Sequence, residues 1–195
     1  MGVEVERTAG KDRFQTAVKI GEEIRRNSNN KTDVILANGY NFIDALTAGS
    51  LAAKMNIPIL LTKDSSLNSI TEKAIKEWGI KNVIVVGGNQ QVSEGVISKL
   101  QKDGLSVERI AGRTRVETAL KLAERVNPNP EKVIFANGRT YADALIASYL
   151  SKKENAPIIL IEKEEVPVSV KEYLREKKIK DSIILGGDSS IANVK

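Results

Sequence analysis

The side chains able to do chemistry in this chain come in pairs, one member near each end. Asp12 and Thr114 have the residue type and placement of helix N-caps, which puts Arg13 and Arg115 in the first turn of a helix. A cation there faces the positive end of the helix dipole, an unfavourable term of about 0.3–1 kcal/mol. Its repetition at two equivalent places calls for an anion nearby, either a protein carboxylate or a ligand. Asp44 and Asp143 are the protein carboxylates that suit the role. They also stand three residues after Asn41 and Thr140, the spacing of a capping box, in which an acid satisfies backbone donors rather than transferring protons. Gly87-Gly88 and Gly186-Gly187 follow apolar runs as phosphate loops do. The residues after them, Asn89-Gln90-Gln91 and Asp188-Ser189-Ser190, complete neither a dinucleotide nor a P-loop pattern. Turn glycines supplying positive φ account for these pairs, and anion binding at the following helix end is the competing reading.

Other chemistry is closed off by composition. The chain has Cys 0 and His 0, which removes disulfides, thiolate metal sites, the cysteine nucleophile and the commonest neutral-pH base. One carboxylate per copy, without histidine or an acidic cluster, makes a poor catalyst and no metal site, and no cofactor is expected. Lys+Arg 30 against Asp+Glu 25 gives +5, a bias that suits an anionic partner. Aromatic residues at 4% are too few for the stacking platforms of single-strand nucleic-acid binders, so nucleic acid is not the expected partner. The longest apolar runs, such as Val83–Val86 and Ile57–Leu61, are far short of the roughly 20 residues of a membrane span, so no membrane insertion is expected. The basic clusters Arg25-Arg26, Lys152-Lys153 and Arg175-Glu176-Lys177-Lys178 fit helix ends and polar loops.

The pairing has one origin. Glu6-Arg7-Thr8-Ala9-Gly10-Lys11-Asp12-Arg13-Phe14-Gln15-Thr16-Ala17 aligns with Glu108-Arg109-Ile110-Ala111-Gly112-Arg113-Thr114-Arg115-Val116-Glu117-Thr118-Ala119 at an offset of 102, with seven of twelve positions identical. An offset of 99 then pairs Ala37-Asn38-Gly39 with Ala136-Asn137-Gly138, Asp44-Ala45-Leu46 with Asp143-Ala144-Leu145, and Gly87-Gly88 with Gly186-Gly187. A period near 100 is too long for a solenoid. It is a tandem duplication of a small domain, with copies at 1–107 and 108–195.

The elements that must position these residues alternate within each copy. Apolar β-type runs at Val3–Thr8, Val34–Ala37, Ile57–Thr62 and Val83–Val86 are nearly continuous, as in parallel strands covered on both faces. Between them, Phe14, Ala17, Gly21 and Ile24 recur at helical spacing, as do Val116, Ala119, Ala123 and Val126. Ser69–Trp78 is a third helix, with Ile70, Ala74 and Trp78 on one face. This alternation predicts an α/β fold of two tandem units, each a mostly parallel sheet flanked by helices. Ser106–Ala111 suits either the last strand of the first sheet or the first strand of the second. The helix predicted around Gly95–Leu100 has no full counterpart, since Lys195 aligns with Val96.

The order Glu-Arg-x-Ala-Gly-x-x-Arg-x-x-Thr-Ala, Ala-Asn-Gly-x-x-x-x-Asp-Ala-Leu, Pro-Ile-Leu-Leu and Val-Val-Gly-Gly, present twice with small variations, resembles the clostridial cell wall binding repeat 2 family. The resemblance implies Toprim-like or Rossmann-like units, usually three packed about a pseudo-threefold axis. It implies a non-catalytic module of surface-layer proteins and autolysins, held on the outside of the cell by an anionic secondary wall polymer. The motif residues expected to face that polymer are Arg13, Arg115, Arg7, Arg109, Asn38 and Asn137. Asp44, Asp143 and the glycine pairs are expected to be structural. Uncovered faces are expected to pack against a third repeat or to self-associate. Two rival readings remain open at this point: a Toprim-like or nucleotide-binding enzyme acting on phosphoesters, and a purely structural module of the surface layer.

Overall fold

The computed structural model describes residues 2–41, 43–138, 141–161, 165–187 and 191, with the side chains of 141–145 outside the described set. Its elements in chain order are α1 (Arg13–Arg26), β1 (Asp33–Asn38), α2 (Ile43–Met55), β2 (Ile59–Thr62), α3 (Ser69–Glu77), β3 (Asn82–Val86), α4 (Glu94–Lys102) and β4 (Ser106–Ile110). They continue with α5 (Arg115–Val126), β5 (Lys132–Asn137), α6 (Tyr141–Glu154), β6 (Ile158–Ile161), α7 (Val168–Glu176) and β7 (Asp181–Leu185). The described strands form two parallel sheets, ordered β2-β1-β3-β4 and β6-β5-β7.

Successive residues of a strand point to opposite faces, and both faces here are covered. Val34 and Leu36 of β1 join Val83 and Val85 of β3 in a core closed by α1, α3 and α4. Ile35, Ile84 and Val86 point the other way, onto Ala48 and Leu51 of α2. That double burial is why the strands read as continuous apolar runs.

The second face of the first sheet is completed by the other copy. Ile110 of β4 and Leu122 and Val126 of α5 belong to this core. In return, Ile43 and Leu46 of α2 pack against the second sheet's core around Ile134, Ala136 and Ala147. Helix α5 also supplies Val116 and Ala123 to the core under α7. The two units are therefore not independent domains in contact. They exchange helices.

Two expectations about strands resolve here. Ser106–Ile110 closes the first sheet, pairing with β3 from Asn82↔Ser106 to Val86↔Ile110. It lies across position 107, so the sheet and the sequence repeat divide at different places. Val3–Thr8, its counterpart at the start of the chain, is not a strand: residues 2–10 form no regular element, and residues 2–9 are exposed. The sequence is equally β-prone at both places, but only the second lies beside a strand whose edge is free. A strand without a neighbour leaves its backbone groups to water.

Candidate functional site

The twelve-residue motif builds the same helix start twice. Asp12 Oδ1 accepts the Gln15 N–H at 2.8 Å and Thr114 Oγ1 accepts the Glu117 N–H at 3.2 Å, the two caps expected from the sequence. The residues three positions on reach back, Gln15 Oε1 to the Lys11 N–H at 2.7 Å and Glu117 Oε2 to the Arg113 N–H at 2.8 Å. Thr16 and Thr118 hydroxyls accept the N–H of Gly10 and Gly112, both at 3.0 Å. A Cβ at Gly10 would lie 2.5 Å from Gln15 Cβ, and one at Gly112 would lie 2.2 Å from Glu117 Cβ, so only glycine fits either turn.

The first-turn arginines are satisfied mainly by backbone. Arg13 Nη1 donates to the Gly39 carbonyl at 2.7 Å, and its guanidinium lies 5.2 Å from the Tyr40 ring centroid. Arg115 Nη1 donates to the equivalent Gly138 carbonyl at 3.0 Å. Each arginine thus ties its helix to the loop after the adjacent strand. The sequence leaves a protein carboxylate or a ligand open as the anion; among the described residues Arg13 meets this carbonyl and the tyrosine face. Arg115 does meet a carboxylate field, that of Asp44 in the other copy.

Asp44 is 9% exposed, and its Oδ2 would be 2.7 Å from a Cβ placed on Gly87. Burial pushes its carboxyl above the ordinary carboxylate value, and the Arg115 guanidinium pulls it back. It occupies the first turn of α2, and the Asn41 N–H that a capping box would offer to it is engaged elsewhere. The Asn41 N–H is instead held by Asn38 Oδ1 at 2.9 Å.

Asp44 and Arg115 meet in a cleft of about 380 Å³ between the copies, lined by Asn41, Ile43, Gly88, Asn89, Gln90, Gln91, Gly112, Arg113, Thr114 and Thr118. One wall is the β3–α4 turn of the first copy. The opposite wall is the N-terminal end of α5, where free backbone donors and the dipole favour an anion. Arg113 is the most available cation there: its side chain is 90% exposed, with a 3.3 Å pairing to Glu117. Arg113 and the Asn89–Gln91 amides were not among the sequence candidates. The signal for Arg113 was a cation immediately before the N-cap, matched by Lys11 in the first copy.

The remaining candidates are placed as follows. Arg7 is exposed in the irregular first segment. Arg109 is largely covered and donates to the carbonyls of Gly87 at 2.6 Å and Val92 at 2.7 Å and to Glu94 at 2.9 Å, which staples β4 to the turn behind the cleft. Asn38 is buried; its amide donates to the Gln91 carbonyl at 2.7 Å and its Oδ1 holds the Tyr40 N–H at 2.7 Å. Asn137 is buried at the equivalent place. Gly87 and Gly186 have φ of +104° and +133°, the left-handed region glycine favours. Gly88 lines the cleft, and a Cβ on either Gly88 or Gly187 would meet nothing within 4 Å. Asp143, Thr140 and Asp188-Ser189-Ser190 fall outside the described residues or side chains. The described residues hold no group of three or more carboxylates suited to a metal ion, and no described helix is long and apolar enough to cross a membrane.

Comparison with known proteins adds to this geometry. The profile of the family described as cell wall binding domain 2 matches residues 7–97 and 109–194. The N-acetylmuramoyl-L-alanine amidase LytC of Bacillus subtilis is 32% identical over 189 residues, covering 97% of this chain and 37% of the amidase. The amidase enhancer of the same organism is 32% identical over 188 residues, 96% of this chain and 25% of that protein. The solved structure of Cwp6 from Clostridium difficile superposes with a TM-score of 0.85 at 30% identity, covering 95% of this chain and 29% of Cwp6. That of Cwp8 from the same organism gives 0.84 at 31%, covering 98% of this chain and 32% of Cwp8. The chain thus spans about a quarter to two fifths of each of these relatives.

Proposed function

The chain belongs to the cell wall binding domain 2 family, and from that premise we propose that it is a non-catalytic anchor which holds its carrier on the outside of the cell by binding an anionic secondary wall polymer. The observation that carries the reading is the cleft between the copies. It sets an exposed Arg113, the Arg115 guanidinium and the N-terminal end of α5 opposite a wall of side-chain amides. Phosphate or carboxylate groups along a polymer would take charge-assisted hydrogen bonds from the arginines and the helix end, while the amides suit sugar hydroxyls. Asp44 buried behind them sets the depth of the cleft and repels an anion placed too far in. We read each unit as a Toprim-like scaffold used for binding rather than for phosphoester chemistry. The amidase activity in one relative's name belongs to that whole protein, of which this chain matches a 37% part.

The test is co-sedimentation with purified cell walls, before and after chemical removal of the anionic polymer. Intact walls should retain the chain and stripped walls should not. The Arg113→Gln/Arg115→Gln variant should lose about tenfold or more in affinity, since each charge-assisted contact is worth at least one decade. Binding should weaken as salt shortens the Debye length from about 10 Å at 0.1 M to 3 Å at 1 M. Undiminished binding to stripped walls would rule the polymer out as the ligand.

A further inference from the structure

Helices α5 and α7 of the second unit face each other across a cleft of about 240 Å³. Helix α5 contributes Glu117, Lys121 and Glu124 to its walls, and α7 contributes Glu172, Tyr173 and Glu176. Lys121 donates to the Ala111 carbonyl at 2.6 Å, and Glu124 is met by Lys177 at 3.4 Å. Glu172 and Glu176 have no ion-pair partner among the described residues. They stand four apart on one helix, where like charges repel, and Glu176 ends α7, where the helix dipole is negative. Both placements call for a cation.

The first copy shows that the fold does not require this arrangement. The equivalent positions of α1 and α3 hold Gln15, Lys19, Glu22, Lys73 and Glu77. There Lys19 pairs with Glu22 at 3.0 Å and Lys73 with Glu77 at 3.6 Å, so the charges balance. Tyr173 stands where the first copy has Ala74, and it supplies a second, independent sign of a ligand. It is 5% exposed, and its hydroxyl is buried without a hydrogen-bond partner among the described residues. Burial, and then the Glu124 charge, push the phenol up to about 12, so it keeps its proton at neutral pH and sits on the Glu124 side, toward the cleft. A phenol accepts as well as donates, and a buried one left unmet is a cost that a ligand can remove.

We propose that this cleft binds the protonated amine of an amino sugar in the wall polymer, held by Glu172, Glu176 and the Tyr173 hydroxyl. The proposal rests on the reading of the chain as a polymer binder and adds a cationic group to what it recognises. Among the described residues no three acids converge closely enough for a metal ion. An ammonium spreads three N–H donors over separate acceptors and suits such a site better. The volume lies below the roughly 300–1,000 Å³ of sites for drug-sized ligands, which fits one residue of a longer chain. The two clefts also share a wall. Arg113 lines the cleft between the copies, Glu117 lines this one, and the two pair at 3.3 Å. A polymer carrying both anionic groups and an amine can therefore engage both clefts along α5, each contact raising the effective concentration of the other.

The test is titration calorimetry of the full chain with the anionic polymer released from purified walls, used untreated, N-acetylated, or treated with mild alkali. N-acetylation neutralises the amines and should cost at least tenfold in affinity, while alkali, which removes aminoacyl esters but not amino sugars, should change nothing. Glu172→Gln/Glu176→Gln should lose at least tenfold on the untreated polymer and show no loss on the acetylated one. Tyr173→Phe should bind about threefold more weakly without a lower melting temperature, because the hydroxyl it removes has no partner in the fold. In NMR titrations of the same chain, glucosamine should shift the Tyr173 and Glu172 resonances and N-acetylglucosamine should not. Polymer that binds equally well after acetylation, or equally well to both variants, overturns the amine site and leaves the polymer reading standing. Polymer that does not bind the unmodified chain at all overturns both. Loss of binding on mild alkali, or larger shifts from Nα-acetyl-lysine amide than from glucosamine, overturns the amino sugar in favour of an aminoacyl ester or a basic peptide.

Discussion

Helices α1 and α5 come from the same repeat and start with the same cap, yet they live in different surroundings. Leu122 of α5 is 1% exposed because it lies under the first sheet beside Ile84, Val86 and Ile110; its counterpart Ile20 is 47% exposed. Strands β3 and β7 differ in the same way. Val85 is buried in the core closed by α1, α3 and α4, while its counterpart Ile184 is 39% exposed. The repeat is therefore not the unit of packing. The first unit's core is finished by the start of the second copy, so equivalent positions of the two repeats are buried in one and bare in the other.

The largest effect should separate Leu122 from Ile20. Leu122→Ala leaves a cavity between the two units and should cost about 2–5 kcal/mol in chemical denaturation, whereas Ile20→Ala should stay within about 0.5 kcal/mol. Equal losses would break the comparison. Next come the two arginines of the Glu-Arg-x-Ala-Gly motif. Arg109→Met strands two carbonyls and a partly covered turn, and should cost about 2 kcal/mol; Arg7→Met should leave the melting temperature of the monomer unmoved.

A smaller effect distinguishes two aspartates by the sign of their pH dependence. Asp44 has its folded pKa raised, chiefly by burial, so the folded state holds the proton more tightly than the unfolded chain. Its contribution is present in full below the ordinary value of 3.8 and is lost as pH rises through the folded value. Asp33 is also partly desolvated, but hydrogen bonds from Asn30, Asn82 and Thr32 outweigh this and lower its pKa. Its contribution is present above 3.8 and lost as pH falls through the folded value. Denaturation between pH 3 and 7 should show Asp44→Asn removing a decline and Asp33→Asn removing a rise. The same slope change from both would refute the assignment of their surroundings. Smallest of all, Arg113→Gln should shift stability by about 0–1 kcal/mol, because its partner Glu117 is met in solvent. A melt beside the wall-binding assay then separates its two roles.

Much of this was legible in the sequence because it is local. The caps at Asp12 and Thr114, the turns that admit only Gly10 and Gly112, and the helical spacing along α5 depend on residues within a few positions of one another. The duplication, and with it the α/β class, followed from the same local patterns written twice. What tertiary structure alone decided is where a segment finds its neighbour. Val3–Thr8 and Ser106–Ile110 are nearly interchangeable as sequence, and only the second is a strand, because hydrogen-bonding groups of a strand need an edge to meet. Arg109 and Arg7 carry the same motif position, and only one has carbonyls within reach. The cleft itself belongs to neither copy. Asp44 and Arg115 are brought together by α2 and α5 crossing between units, a separation along the chain that no local rule spans.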